Sequence, residues 1–440
     1  MSPDVVGLVG IILMLMIFLT GMPVTYVMAL VGWLGFSYIV SPEAGLQLLA
    51  RDMVGTFQSS TLVVVPLFTL MGQFALQAGV SKRLYEVAHR FTGAMPGGLA
   101  MATVLACTGF GAVCGSSTAT AATMATVGLP EMSRRNYSPA LATGAVASGG
   151  SLGMLMPPSV VLIVYGVLTE ASIGRLFVAG IIPALLIAHL FIVAIAVVCW
   201  LRPKACPVGE SYSWADKFAA LREVGEVILV FLLVLGGLVR GWFTEIEAGG
   251  VGAMLMLMVG LARRQMTWLA FRKALNDTLW TSCMTMMLVA GAVVFGHFLT
   301  ITRIPFAVAE LVAGLDWPAW AVIVAIGAVY LIGGCIIDAL ALVMLTVPIF
   351  LPIVTGLGFD TIWFGVIIVL LTQMGVITPP VGINVYVVQG IARDVKLEAI
   401  FKGSMPFLVA LIVGMLILVT FPLIATWLPD QVYQHLAVGR

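Results

Sequence analysis

Charge is what this chain has least of. Asp, Glu, Lys and Arg together make up 9% of its 440 residues, where a soluble domain carries roughly 25%. With a formal net charge of +1 there is no basic footprint for nucleic acid, and no such partner is expected. The six cysteines, Cys107, Cys114, Cys199, Cys206, Cys283 and Cys335, form no Cys-x-x-Cys pair. Neither a metal site nor a disulfide framework is therefore expected. No His-Glu-x-x-His motif, phosphate loop or nucleophile elbow is read, so no enzyme is expected. Without a phosphate loop the chain cannot itself run on ATP. The start, Met-Ser-Pro-Asp, lacks a basic n-region, and the first apolar span is expected to be retained.

What fills the space is apolar: 61% of the residues are hydrophobic, and runs such as Val5 to Leu19 and Phe407 to Thr420 hold no charge. That composition implies an all-α, multi-pass integral membrane protein in contact with lipid. Spans are read at about 5–20, 24–40, 60–78, 137–168, 176–201, 224–240, 242–262, 278–300, 361–391 and 403–427. The segments 137–168 and 361–391 are read as broken helices, because Pro157-Pro158 and Pro379-Pro380 interrupt them. Freed backbone at membrane depth is tolerated only inside protein or beside a wet cavity. Two further apolar regions, 95–130 and 317–353, are punctuated at their centres by Gly and polar residues. They are read as re-entrant helical hairpins. Two full spans per hairpin would keep the same parity, but would give no reason for those central residues.

A single spacing joins the two halves. Gly153-x-x-x-Pro157-Pro158 recurs as Gly375-x-x-x-Pro379-Pro380, 222 residues later. The same offset maps Pro96 onto Pro318, Gly111 onto Gly333, Ser116 onto Asp338 and Leu129-Pro130 onto Leu351-Pro352. This is the signature of an internal duplication. The first repeat is taken as 1–202, with scaffold helices over 1–78, an arm at 81–93, the hairpin 95–130 and the broken helix 137–168. A cytoplasmic linker covers 203–222. The second repeat, 223–440, has scaffold helices over 224–300, an arm at 301–316, the hairpin 317–353 and the broken helix 361–391. Segments 42–58 and 264–276 are read as interfacial amphipathic helices.

Charge placement gives orientation. With the N-terminus outside and both hairpins re-entrant, 16 of the 21 Lys and Arg fall on inside loops and 5 outside, as the positive-inside rule requires. Both termini are then periplasmic. Corresponding loops swap their basic residues between halves, so the repeats are expected to be inverted. Inverted repeats with broken helices mark secondary transporters, with the site near the midplane.

The candidate site residues follow from that frame. At the first tip, Cys114, Gly115, Ser116, Ser117 and Thr118 offer a tight turn, hydroxyls and carbonyls to a small hard cation. The first break, with Pro157 and Ser159, supplies the facing wall. At the second tip Gly333 and Gly334 precede Asp338, the one acid in a long apolar region and a functional candidate by position. Its facing break holds Gly375, Thr378 and Gly382, followed by Asn384. Ser117, Thr118 and Asn384 are the substrate-contact candidates. Small residues that merely ease helix contact are the alternative at the first tip, and a hairpin-stabilising carboxylate is the alternative at Asp338. Glu247 and Arg303 are candidates for partner docking. His189 and His297 are read as packed and hydrogen-bonded.

At these residues the chain resembles the large membrane subunit of tripartite ATP-independent periplasmic (TRAP) transporters, of the ion transporter superfamily. The resemblance rests on Phe110-Gly-Ala-Val-Cys-Gly-Ser-Ser-Thr-Ala-Thr120, Leu129-Pro-Glu-Met132, Met156-Pro-Pro-Ser159 with Tyr165-Gly166, Ser172-Ile-Gly-Arg-Leu-Phe177, Pro348-Ile-Phe-Leu-Pro352 and Thr378-Pro-Pro-Val-Gly382. It implies an elevator-type fold in a bacterial inner membrane, in which a transport domain carrying both hairpins slides against a scaffold. It implies sodium (Na+) as the coupling ion, with Ser116, Ser117 and Ser159 at a first site and Asp338 and Thr378 at a second. It implies a small four-helix membrane subunit, a periplasmic substrate-binding protein and an organic acid substrate. A sodium–carboxylate symporter of the same superfamily that needs no binding protein is the alternative. The chain departs from the family pattern at Cys114, where Ser is usual, and at Thr244-Glu-Ile-Glu-Ala248, where a proline usually fixes the turn.

Overall fold

The computed structural model describes residues 2–18, 20–203, 206–314 and 317–438. Lys204 and Arg440, counted above for orientation, and the end of the second arm at 315–316 lie outside the described residues. Twenty α-helices form, and no β-strand is present among the described residues. The first half holds α1 (Pro3–Phe18), α2 (Val24–Ile39), α3 (Pro42–Gln58), α4 (Val64–Gln77), α5 (Val80–Thr92), α6 (Gly98–Cys114), α7 (Ser117–Arg134), α8 (Pro139–Ser151), α9 (Val160–Thr169) and α10 (Ile173–Leu201). The second holds α11 (Trp214–Val239), α12 (Glu245–Ala262), α13 (Trp268–Thr302), α14 (Ile304–Gly314), α15 (Ala319–Gly334), α16 (Ala339–Gly356), α17 (Thr361–Gly375), α18 (Ile383–Ile391), α19 (Leu397–Thr420) and α20 (Leu423–Val438). Helices α10, α12, α13, α16 and α19 are each long and apolar enough to cross a membrane.

The 222-residue spacing extends to the helices. Shifting α7 by that offset gives the bounds of α16, and shifting α9 gives 382–391 against Ile383–Ile391 for α18. Helix pairs α6–α7 and α15–α16 occupy the two hairpin segments, single helices α5 and α14 the two arm segments, and α8–α9 and α17–α18 the two interrupted segments.

Four expectations are corrected. Segment 264–276 is no separate interfacial helix: its residues from Trp268 onward open α13, a continuous helix of 35 residues. Its counterpart is two helices, α3 and α4, bent by 55°. The bend falls at Ser59, whose extended backbone (φ −64°, ψ 115°) ends α3, ahead of Pro66 in the first turn of α4. Leu288 stands at the equivalent place in α13. Second, the linker is shorter than 203–222, because Ser213 and Asp216 form a capping box that starts α11 at Trp214. Third, the last span ends at Thr420, and a further helix, α20, follows. Fourth, Cys199 and Cys206 are paired as a disulfide, Cα–Cα 5.4 Å. The chain turns back at the end of α10, which the cysteine spacing alone does not reveal.

The linker is also anchored. The Gly209 N–H donates to the Gly93 carbonyl at 3.0 Å, and Arg135 pairs with Glu210 at 3.2 Å. Between them sits His89 of the arm, whose imidazole is held below its ordinary pKa by burial and by the nearby Arg135.

Two bodies of helices face each other. In one, α2 lies along α13: a Cβ on Gly32 would meet the Phe295 backbone at 2.8 Å. Helix α4 packs on α12 and α13. In the other, the interrupted segments are central, and every residue of α8 from Leu141 and of α17 from Ile362 is buried. The small residues of α8 let neighbours approach closely. A Cβ on Gly144 would meet the Gly403 backbone of α19 at 2.2 Å, a packing mode suited to helices in lipid.

Candidate functional site

The two hairpin tips and the two breaks converge. At the first tip Gly115 adopts φ +64°, a left-handed turn open to glycine, and a Cβ there would meet the Pro158 carbonyl oxygen at 2.4 Å. The Gly115 carbonyl accepts the Val160 N–H at 3.3 Å, tying tip to break. Ser116 is the N-cap of α7 and accepts the Ala119 N–H at 3.5 Å. Ser159 is the N-cap of α9; its hydroxyl donates to the Met154 carbonyl and accepts the Leu162 N–H at 3.4 Å. A Cβ on Gly111 would meet Gly153 Cα at 2.8 Å, so these two glycines let the hairpin lie against the break.

The second half repeats the tie with other residues. The Cys335 carbonyl accepts the Gly382 N–H at 3.3 Å. Asp338 is the N-cap of α16 and accepts the Leu340 N–H at 3.0 Å, and it stands exposed. The Thr378 hydroxyl donates to the Met374 carbonyl at 2.5 Å. The close glycine contact is made by Gly334 against Gly375 rather than by Gly333, whose added Cβ would meet Leu342.

Polar bonds join the halves. The Ser117 hydroxyl donates to Asn384 Oδ1 at 2.9 Å, and Asn384 Nδ2 donates to the Ala147 carbonyl at 2.9 Å. Asn384 is fully buried, so both ends of its amide are engaged in holding α18 against α7 and α8. Gln373 Nε2 donates to the Ser151 carbonyl at 3.0 Å. These two residues are themselves 222 apart.

A cavity of about 610 Å³ opens where these parts meet, between the tips and the wall made by α4 and α13. Cys114, Gly115, Ser116, Ser117, Thr118 and Asp338 line it, so the structure brings the two predicted tips together. Pro157, Ser159, Gly333, Gly334, Gly375, Thr378, Gly382 and Asn384 are not among its lining residues. The first turns of α7, α9, α16 and α18 all reach it, through Ser117, Val160, Ala339 and Ile383. Helix N-termini carry partial positive charge. Cys114 and Val376 bring in the opposite, C-terminal ends of α6 and α17. Asp338 is the one ionisable carboxylate in the lining, which holds no Lys, Arg or His.

Sequence reading missed the facing wall. Thr69 and Gln73 on α4, and Thr281 and Thr285 on α13, put polar groups opposite the tips. The available signal was two polar residues four apart on one face of an apolar helix. The docking candidates lie elsewhere. Glu247 is exposed and completes a capping box with Thr244, whose N–H donates to Glu247 Oε2 at 2.8 Å. That box closes the turn which a proline fixes in the family pattern. Arg303 is exposed at the C-cap of α13 with φ +56°. His297 bonds Asp52 at 2.6 Å, whereas His189 is exposed rather than packed. One further correction concerns Gly149-Gly-Ser151-Leu-Gly153, which does carry the Gly-x-Ser-x-Gly spacing of a nucleophile elbow. It lies at the end of a helix with the Ser151 hydroxyl bonded to the Ser148 carbonyl, not on the strand–turn–helix such an elbow needs.

Comparison with known proteins now bears on this geometry. In fold, the chain is similar to the YdaH transporter of Alcanivorax borkumensis, with a TM-score of 0.63 at 17% identity, over 87% of this chain and 89% of that one. In sequence it is 35% identical over 393 residues to the C4-dicarboxylate TRAP transporter large permease protein DctM of Pseudomonas aeruginosa, covering 89% of this chain and 91% of that protein. It is 30% identical over 416 residues to the sialic acid TRAP transporter large permease protein SiaM of Vibrio cholerae, covering 93% and 95%. Residues 11–424 match the family model for the tripartite ATP-independent periplasmic transporter, DctM component. A helical membrane protein whose paired hairpins close on one cavity is thus a large membrane subunit of the TRAP transporter family, a family of permeases.

Proposed function

We propose that the chain is the large permease subunit of a sodium-coupled importer of an organic acid, working in a bacterial inner membrane with a small four-helix subunit and a periplasmic binding protein. The observation that carries this reading is the single cavity shared by both hairpin tips. The relatives' names, a C4-dicarboxylate and a sialic acid transporter, point to organic acids as the substrate class.

The chemistry of the lining suits an anion entering with cations. Four helix N-termini favour negative charge at the tips. The Ser116 hydroxyl, the Asp338 carboxylate and the tip carbonyls are oxygen donors of the kind hard cations take. An anion accompanied by sodium crosses lipid depth with less net charge, which lowers the electrostatic cost. If sodium holds a tip in the form that binds substrate, each must raise the other's affinity by the same factor.

Alternating access would come from movement of the hairpin body past the α4–α13 wall. Gly72 marks the seam, since a Cβ there would meet Cys114 Cα at 2.9 Å. Inverted orientation of the halves would make the two end states related by symmetry.

The test is uptake by proteoliposomes holding both membrane subunits, with the binding protein supplied outside. Accumulation of an organic acid that needs an inward sodium gradient is the expected result. Equal accumulation with potassium in place of sodium would remove the coupling, and uptake without the binding protein would favour the simpler symporter.

A further inference from the structure

The cavity is polar in two different ways. On the tip side the attraction is for charge: helix N-termini, hydroxyls and one carboxylate. On the α4 side it is neutral. Thr69 is 7% exposed, and its hydroxyl has no hydrogen-bond partner. One turn further along the same face, Gln73 Oε1 is likewise buried and unpaired. Both residues line the cavity. On the α13 part of the same wall Thr285 already donates to the Thr281 carbonyl at 2.9 Å, so the buried unpaired atoms of the wall lie on α4.

A buried polar atom without a partner is costly, and of the twelve such side-chain atoms among the described residues only these two belong to residues that line the cavity. Two on one face, both at the wall of a cavity, mark a place where a ligand supplies the missing bond. The amide and hydroxyl exchange hydrogen bonds with neutral groups that both give and accept, such as alcohols and amides. No cation stands on this wall to hold a second carboxylate.

We infer that Thr69 and Gln73 set substrate selectivity by hydrogen-bonding a neutral hydroxyl or amide end of the substrate, while its anionic end sits at the hairpin tips. The substrate class is therefore a hydroxylated or amide-bearing organic acid, in preference to the same acid without that group. This rests on reading the cavity as the transport site. A site built to hydrogen-bond a substrate group discriminates strongly against the analogue that lacks it, because the protein groups are then left unpaired.

The experiment is direct binding to the purified membrane subunits in nanodiscs with sodium present and no binding protein, so that upstream selection plays no part. The probes are matched pairs: L-malate with succinate, glycerate with propionate, and gluconate with hexanoate. In the unsubstituted protein at least one hydroxylated member binds about tenfold or more tightly than its partner. In Gln73→Leu, and separately in Thr69→Val, that ratio falls toward one. Both replacements keep side-chain volume, and each reports independently should the other fail to fold. An unsubstituted protein that binds both members of every pair alike overturns the inference, as does an unchanged ratio in folded variants. Binding of no organic anion at all overturns the reading of the cavity as well, and so separates the two failures.

Discussion

At the first tip an uncharged Ser116 caps α7, and its neighbours Gly115 and Ser117 are buried. At the second tip Asp338 caps α16 and stands exposed, as does Ile336 beside it. The left-handed glycine has also changed sides. It is Gly115 in the first hairpin but Gly382 in the second break. One spacing thus builds both units, and both keep a close glycine contact between hairpin and break, yet the first tip is buried beside a neutral cap and the second is exposed with a charged one. The difference teaches that geometry is duplicated more faithfully than chemistry. A helix start can be capped by serine or by aspartate with similar effect, so the second cap is free to bring a charge to the cavity at little cost in stability.

The comparison can be broken first at its packed member. Gly115→Val forces a β-branched residue into φ +64° and against the Pro158 carbonyl. We expect a loss of about 3 kcal/mol or more, read as a lower melting temperature in size-exclusion thermal assays. Ile336→Val at the exposed second tip should change stability by less than about 0.5 kcal/mol. Equal losses at the two tips would erase the distinction.

Asp338→Asn comes next, because asparagine caps as well as aspartate. Stability should hold within about 0.5 kcal/mol, while sodium-dependent uptake falls about tenfold or more through loss of the charge. Normal uptake would reduce Asp338 to a cap. Ser116→Ala removes a weaker cap and a hydroxyl together. It should cost about 0.5–1 kcal/mol and raise the sodium concentration for half-maximal uptake severalfold; an identical sodium curve would confine the first tip to packing. The smallest effect is expected from Glu247→Gln, which loosens a capping box remote from the cavity. Uptake should match the unsubstituted protein, and any loss of transport there would show that charge matters beyond the tips.

Much of this arrangement was legible because Gly, Pro and Ser act locally. Pro157-Pro158 and Pro379-Pro380 cannot lie inside a helix, and Gly115 followed by Ser116 reads as a turn and a cap on sight. What stayed hidden depended on distance through space. Thr69 and Gln73 look like stray polar residues until α4 is placed against the hairpin tip. Asn384 looks like a ligand until Ser117 and the Ala147 carbonyl occupy both ends of its amide. Likewise, nothing in the spacing of His297 and Asp52 announces that they meet.

The four helix starts around the cavity have a consequence for how such permeases diversify. Their partial charge belongs to the peptide backbone, so exchanging one side chain for another leaves it in place. If the cavity is the transport site proposed above, its affinity for acids as a class is in that sense shielded from mutation. Substitutions on the opposing helix can then exchange one acid for another without first dismantling the trap that holds the charge, and a lineage can try new nutrients while never losing its grip on anions.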